Sequence, residues 1–591
     1  MRDRITEVII SRLKEMTSEW GVELTPEQID LPNPPDASMG DYAINLPMKL
    51  AKHARQAPIK IAERIAGLLS TETEWFSLVT VAPPGYVNLT LAESAIERML
   101  SEAGHDIYAS LKREGEPQMV VVDYSGVNIS KQMHVGHLRS TIIGDVIARV
   151  LEARGENVIR QNHLGDWGLP IAMILWGTRP VLREIKARGG DLFEELPLSR
   201  LEDLYRKATT TYKENPEARE EIRRILVDLQ AGDKELVDDW HTITRLSMEE
   251  VYRIYQILSV TLTEKDERGE SFYRDMLADT VAALDDCGIL VESEGAKCVF
   301  FEQFKARDGS PLPVMVQKSD GGFNYATFDL AAVRHCVDEL EADRIIYVTD
   351  SRQALHFAQI FAVAEACGWT NPDNRHVQLD HVMFGAVLGE DGKPLKTRSG
   401  ENVKLTDLLQ EAVDRAYAVV NEKNPDLPED YKQYVARAVG IGAVKYADLS
   451  HDRNNDYVFA WDRMLALTGN TAPYLQYAHA RICSIFRKGG IAEESIEGPF
   501  AIRHPAERAL ALKLLELPEV AEAVEADLRP HILCNYLYEL ATVFSSFYDQ
   551  CPVLTAESEE IRNSRLFLCR IVQSAMSTGL GLLGIEAPRE M

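Results

Sequence analysis

The sequence predicts an α/β nucleotide-binding fold, preceded by a small α/β domain and followed by an all-helical one. Three observations lead there. Residues 118–154 read as a buried strand, a short turn and a helix. After an acidic, mainly helical stretch at about 185–315, a strand-rich pattern resumes and repeats the strand–turn–helix order near 344–357. That stretch is therefore expected as an insertion between two halves of one sheet. From residue 464 onward almost everything has helical period, with breaks at Gly489-Gly490 and near Cys551-Pro552. The expected domains are 1–115, 116–400 with the insertion inside it, a helical connection at 401–463, and 464–591.

A chain of 591 residues is too long for one core, which agrees with that partition. Its 45% hydrophobic and 26% charged residues are an ordinary globular composition. The formal net charge of −28 speaks against an indiscriminate nucleic-acid binder and against DNA as a partner, because phosphate contacts need local positive potential. No stretch approaches about 18 uninterrupted apolar residues, so no membrane span is expected. The first residues form an amphipathic helix striped by Ile5, Val8, Ile9, Leu13 and Met16, without the apolar block of a signal peptide, and the expected location is cytoplasmic. The eight cysteines form no CxxC pair, which disfavours zinc clusters and a disulfide framework and predicts buried thiols.

In chain order, Asn33-Pro34-Pro35 interrupts the first domain before Gly40-Asp41-Tyr42, and strand material follows at 75–91. Tyr86 beside Asn88 suits RNA, since a ring stacks on an unpaired base while an amide reads its edge; packing for the tyrosine and turn capping for the asparagine is the other reading. Glu114-Gly115-Glu116-Pro117 is the expected linker.

Residues 119–124 are the first buried strand, and Leu138, Ile142, Val146, Ile147, Val150 and Leu151 give the following helix one apolar face, stopped at Gly155. Between them lies His134-Val135-Gly136-His137. Such a turn stands outside the carboxyl edge of the sheet, where phosphates meet free N–H groups and the positive end of a helix. The imidazoles there supply hydrogen bonds or positive charge. A second strand at 157–161 leads into Asn162-His163-Leu164-Gly165-Asp166-Trp167-Gly168, a compact loop in which Trp167 walls a pocket and His163 faces it.

Within the insertion, the acids of Gly269-Glu270-Ser271-Phe272-Tyr273 and of Glu292-x-Glu294 suit either a cation or water; Glu292 is expected to face water, and Glu294 is left open. Beyond the Asp320-Gly321-Gly322 turn, Tyr325 and Asp329 stand four apart at a helix entrance. The strand 344–349 ends in Asp350-Ser351-Arg352-Gln353, so Gln353 reaches the same crevice, while His356 reads as a packing or supporting residue. The loop 388–400, with three glycines and Lys393, Lys396 and Arg398, is suited to negative charge moving over phosphoryl groups. Farther on, Tyr474, Tyr477 and Arg481 put aromatic rings and a cation on one helix.

These motifs, in this order, resemble the arginyl-tRNA synthetases of the class I aminoacyl-tRNA synthetases, over essentially the whole chain. His134–His137 matches the HIGH-type signature, with Val127 where most members have proline. The resemblance implies the class I Rossmann-type catalytic domain, an N-terminal domain touching the outer corner of tRNA, and a helical anticodon-binding domain. It implies catalysis by His134, Gly136, His137, Lys131, Lys393 and Lys396, and arginine binding by Asp123, Asn128, Tyr325, Asp329 and Gln353. ATP falls to His134, Gly136, His137, His163, Gly165, Asp166, Lys396 and Thr397, and tRNA to Tyr86, Asn88, Tyr474, Arg481 and Met591. The KMSKS-type loop has two registers: 393–397 keeps both lysines, whereas 395–400 leaves Ser399 where a lysine is expected, with Lys131 able to replace the charge.

The expected reaction joins L-arginine to the 3′-terminal adenosine of tRNA(Arg) through arginyl-adenylate, by a monomer. ATP enters as its Mg²⁺ complex, with no permanently bound cofactor. A dinucleotide oxidoreductase would need GxGxxG after the first strand, and that motif is missing. A class I synthetase of another specificity is the remaining alternative.

Overall fold

The computed structural model describes residues 1–104, 106–396, 403–496 and 498–591. Helix α1 (Arg2–Ser18) buries Ile5, Ile9, Leu13 and Met16 at helical spacing. It packs on the helix Pro58–Leu69, which in turn lies on an antiparallel sheet of β1 (Tyr42–Ile44), β2 (Phe76–Ala82) and β3 (Tyr86–Leu91), in the order β1-β3-β2.

The central sheet has four parallel strands in the order β10-β9-β4-β5: β4 (Met119–Asp123), β5 (Asn157–Gln161), β9 (Arg344–Asp350) and β10 (Gln378–Phe384). Val120, Val121 and Val122 are all buried, as a strand covered on both faces requires. From β4 the chain winds to β5, and from β9 to β10 on the other side. The carboxyl ends of β4 and β9 therefore flank the switch point of the sheet, where ligands bind in such folds. Asp123, the last residue of β4, pairs with Tyr347, three residues before β9 ends at Asp350.

Helix α2 (Val135–Arg154) begins within the histidine motif, three residues earlier than the apolar pattern suggests, because His134 caps it. It is buried almost all round instead of on one face: one side meets the sheet, the other the C-terminal helices. Its polar residues make the ties, Arg139 to Asp448 at 3.0 Å and Arg154 to Glu525 at 2.7 Å.

The insertion is helical through α3 (Lys234–Ile257) and beyond, but ends in strands: β6 (Val291–Ser293), β7 (Ala296–Val299) and β8 (Val314–Gln317) form an antiparallel sheet. Glu294 and Gly295, both at positive φ, make the tight β6–β7 turn, so Glu294 is an exposed turn residue; Glu292 is exposed as well. Helices α4 (Tyr325–Asp338) and α5 (Ala354–Ala366) complete the second half.

After a short parallel pair, β11 (Val387–Leu388) with β12 (Tyr457–Val458), the described chain is helical. Helices α6 (Leu405–Lys423) and α7 (Glu429–Leu449) form a hairpin that joins α8 (Ala472–Gly489), α9 (Pro505–Leu515) and α10 (Glu559–Leu582). Cys287 and Cys367 form a disulfide, a departure from the expected eight thiols; the other six are buried and free. Among the described residues no helix is long and apolar enough to cross a membrane.

Candidate active site

At the entrance of α2 the two histidines cap the helix and each other. The Gly136 N–H donates to His134 Nδ1 at 3.0 Å, and the His134 N–H donates to His137 Nδ1 at 3.1 Å. Gly136 is required, since a Cβ there would lie 2.8 Å from the His134 ring. Burial, together with the positive charge of Lys131, pulls His137 down to about 3 and His134 below its ordinary value. Both rings are thus neutral, with Nδ1 accepting and Nε2–H left to donate. Of the two roles expected of the imidazoles, hydrogen bonding is the one this geometry provides.

The glycine-rich loop is held against this motif by its backbone. The Val135 N–H donates to Val403 O at 3.2 Å and the Leu405 N–H to Met133 O at 2.9 Å, so the segment just past the loop pairs antiparallel with the residues entering the motif. The near end of the loop is a hairpin in which the Gly389 N–H donates to Lys393 O at 2.7 Å and the Leu395 N–H to Val387 O at 2.9 Å. Lys393 is fixed in that turn, while Lys396, beyond it, is exposed. Thr397 and Ser399 lie outside the described residues. Lys131 is exposed over the ring of Tyr205, 5.7 Å from its centre.

The other half of the crevice is acidic. Asp123, at the end of β4, is buried and pushed up to about 6 by loss of solvent, opposed by His163 and reinforced by the charge of Asp329. Asp329 lies one turn into α4 and receives a hydrogen bond from His356 Nε2 at 2.5 Å. Tyr325 opens the same helix and is 68% exposed, and Gln353, the N-cap of α5, is exposed too. Asn128 is exposed, and its backbone pairs with Gly165, where a Cβ would meet the Asn128 amide oxygen at 2.4 Å.

Glu270, which the sequence leaves open between a cation and water, joins these acids. It is pushed up to about 7, first by burial, then by Asp166 and Asp329 against the pull of His163. Its N–H donates to Leu164 O at 3.0 Å, which seats it beside the 162–168 loop. The available signal was its place in Gly269-Glu270-Ser271, a turn that Asp166 grips. Asp166, expected at the nucleotide, instead accepts from Ser271 N–H at 3.0 Å and Ser271 O–H at 2.6 Å, and is buried. His163 stacks on Tyr273 with ring centres 5.7 Å apart.

A model of the catalytic domain of class I (R) tRNA synthetases matches residues 98–461. The arginyl-tRNA synthetase N-terminal domain matches 3–91, and the DALR anticodon-binding domain matches 475–591. The chain is 45% identical to the arginine–tRNA ligase of Psychromonas ingrahamii over 95% of each, and 43% identical to that of Alcanivorax borkumensis over 100% of each. The chain belongs to the arginyl-tRNA synthetases. The arginyl-tRNA synthetase of Plasmodium falciparum superposes with a TM-score of 0.82 at 30% identity, covering 99% of both chains. That of Thermus thermophilus gives 0.78 at 27%, covering 100% of both.

The tRNA-facing candidates of this synthetase are unevenly accessible. Tyr86 is 37% exposed at the start of β3, and Asn88, two residues along, is 7% exposed. Tyr474 is half-buried against Tyr538, whereas Tyr477 is 47% exposed. Arg481 lies over the ring of Tyr548, 4.6 Å from its centre. Met591 packs with Tyr417, Tyr431 and Leu465 against the α6–α7 hairpin.

Proposed function

We propose that this chain attaches L-arginine to the 3′-terminal adenosine of tRNA(Arg), through arginyl-adenylate formed from ATP. The observation that carries the reading is the convergence of Asp123, Glu270 and Asp329 on one side of the switch point, opposite the neutral His134–His137 pair. Acids alone select a cation. A planar guanidinium needs directional acceptors, which Asp329 and its neighbours supply, with Tyr325, Asn128 and Gln353 as the polar wall. On the other side, Nε2–H donors, the N-terminus of α2 and the lysines receive the phosphates. ATP brings Mg²⁺ as part of the substrate.

The catalytic work in this reading is positioning. The arginine carboxylate attacks the α-phosphorus, pyrophosphate leaves, and the tRNA hydroxyl then takes the arginyl group, with no covalent enzyme intermediate. Tyr86 with Asn88 at one end, and Tyr474, Arg481 and the tail at Met591 at the other, receive the tRNA. Adenylate formation is expected to depend on bound tRNA. The enzyme works as a monomer in the cytoplasm.

The decisive experiment is ATP–pyrophosphate exchange with each amino acid, with and without tRNA. Arginine alone is expected to support exchange; exchange supported by another amino acid overturns the specificity. Another class I specificity is not favoured by relatives that carry the arginine name over the full chain.

A further inference from the structure

We infer that His356 is a positioning residue of the arginine pocket, fixing the plane in which the Asp329 carboxylate receives the guanidinium. The inference rests on the reading of Asp329 as the guanidinium acceptor.

Asp329 and His356 come from different helices, α4 and α5, and meet at 2.5 Å between Nε2 and Oδ2. Both are largely sheltered, their side chains 19% and 30% exposed respectively. An aspartate carboxylate rotates broadly about its last bond, because that torsion has no sharp minima. A guanidinium, in contrast, binds a carboxylate in its plane, by two parallel N–H···O bonds. A carboxylate free to turn must be stopped in that plane each time arginine binds, and a donor already on one oxygen removes this cost. With the Nε2–H on Oδ2, Oδ1 and the second lone pair of Oδ2 remain for substrate.

The donor is itself held. The neighbouring Phe357 is buried between Tyr347 and His381, with ring centres 4.8 and 4.7 Å away, which seats the first turn of α5 on the sheet. Gln353 lies three residues before His356, on the same face of that turn, so one turn supplies both a wall residue and the support of the acceptor. A lysine ammonium, which takes a carboxylate oxygen from any side, would gain little from this arrangement. His356 therefore acts on arginine recognition and not on the phosphate half of the site.

Steady-state pyrophosphate exchange with His356→Ala, His356→Gln and His356→Asn tests this, alongside Asp329→Asn and circular dichroism. His356→Ala is expected to raise KM for arginine about tenfold, with kcat and KM for ATP within about twofold of the parent. Glutamine places its amide nitrogen near the position of Nε2 and should recover most of the loss, whereas the shorter asparagine should not. An unchanged arginine KM in His356→Ala overturns the inference, as does a parallel loss of ATP affinity and kcat, or equal behaviour of the glutamine and asparagine variants. If Asp329→Asn loses arginine while His356→Ala keeps it, only the positioning role falls. If Asp329→Asn binds arginine like the parent, the pocket reading falls with it.

Discussion

Burial raises Asp123 to about 6 and Glu270 to about 7, and this makes arginine binding depend on pH. Below these values the carboxyls are neutral and no longer attract a cation. The sign for folding is the reverse: acids with raised folded values stabilise the fold fully below their unfolded values of 3.8 and 4.5, and that contribution is lost as pH rises through about 6 and 7. The charge thus serves the substrate at the expense of the fold. Arginine affinity is expected to weaken about tenfold or more between pH 7.5 and 5.5, as measured by titration calorimetry, and Glu270→Gln should remove the upper part of that dependence. A flat profile would remove both acids from the pocket. His137 does not add to it, since it is held near 3 and stays neutral throughout. As a neutral donor, His137 should act on the transition state: His137→Asn is expected to lower kcat for exchange by about two orders of magnitude with arginine affinity unchanged, and an unaltered kcat would refute the assignment.

Among the elements, the loop around Lys393 has an alignment that the sequence leaves ambiguous and the backbone narrows. Lys393 closes a hairpin turn through its own carbonyl, and its N–H donates to Asp391 at 3.1 Å, so its position is spent on the turn. Lys396 follows the hairpin, and Lys131 lies close enough to depress both histidines. Pre-steady-state adenylate formation should therefore fall about a hundredfold in Lys396→Ala and Lys131→Ala, against less than about threefold in Lys393→Ala; three equal, mild effects would make the loop ordinary surface. What was legible in the sequence followed from locality. Strands β4 and β9 stood out because both faces are buried, and Tyr325 and Asp329 because a spacing of four puts them on one helical face. The β6–β7 hairpin was lost inside a helical stretch, because only the Glu294-Gly295 turn announces it. Glu270 and His356 were legible only in part: the acid of the Gly269–Tyr273 segment reads as facing a cation or water and His356 as a packing or supporting residue, but neither partner could be named, since each contact comes from a distant segment, Glu270 on Leu164 and His356 on Asp329.

For the whole molecule, the N-terminal domain is tied to the C-terminal helices by several polar contacts, among them Arg2 to Glu519 and Ile502 N–H to Glu97, and by one forked pair. Arg508 of α9 donates to Asp41 Oδ1 at 2.9 Å and to Oδ2 at 2.7 Å, while Asp41 Oδ2 also accepts from the Leu91 N–H at 2.7 Å. Asp41 belongs to the Gly40-Asp41-Tyr42 motif, and Tyr42 beside it is buried, so these two residues tie the domain down, whereas Tyr86 is exposed. A tRNA is a stiff polyanion, and a protein with a net charge of −28 holds it only through contacts spaced to match it. In the proposed reading Tyr86 and the C-terminal helices are such contacts, and they match a tRNA only if the distance between them is fixed. Removing one partner of a charge-assisted fork costs on the order of 2–3 kcal/mol, and here the cost falls on docking of the domains more than on either core. Arg508→Ala should then raise KM for tRNA several-fold and speed trypsin cleavage near Lys112 and Arg113, ahead of the Glu114–Pro117 linker, while arginine binding measured without tRNA stays as in the parent. Arg508→Lys, which keeps the charge but loses the fork, should fall between the two. If Arg508→Ala leaves both tRNA affinity and protease resistance intact, the domains are held by their other contacts, the Arg2–Glu519 pair included, and the fork has no part in spacing the tRNA sites.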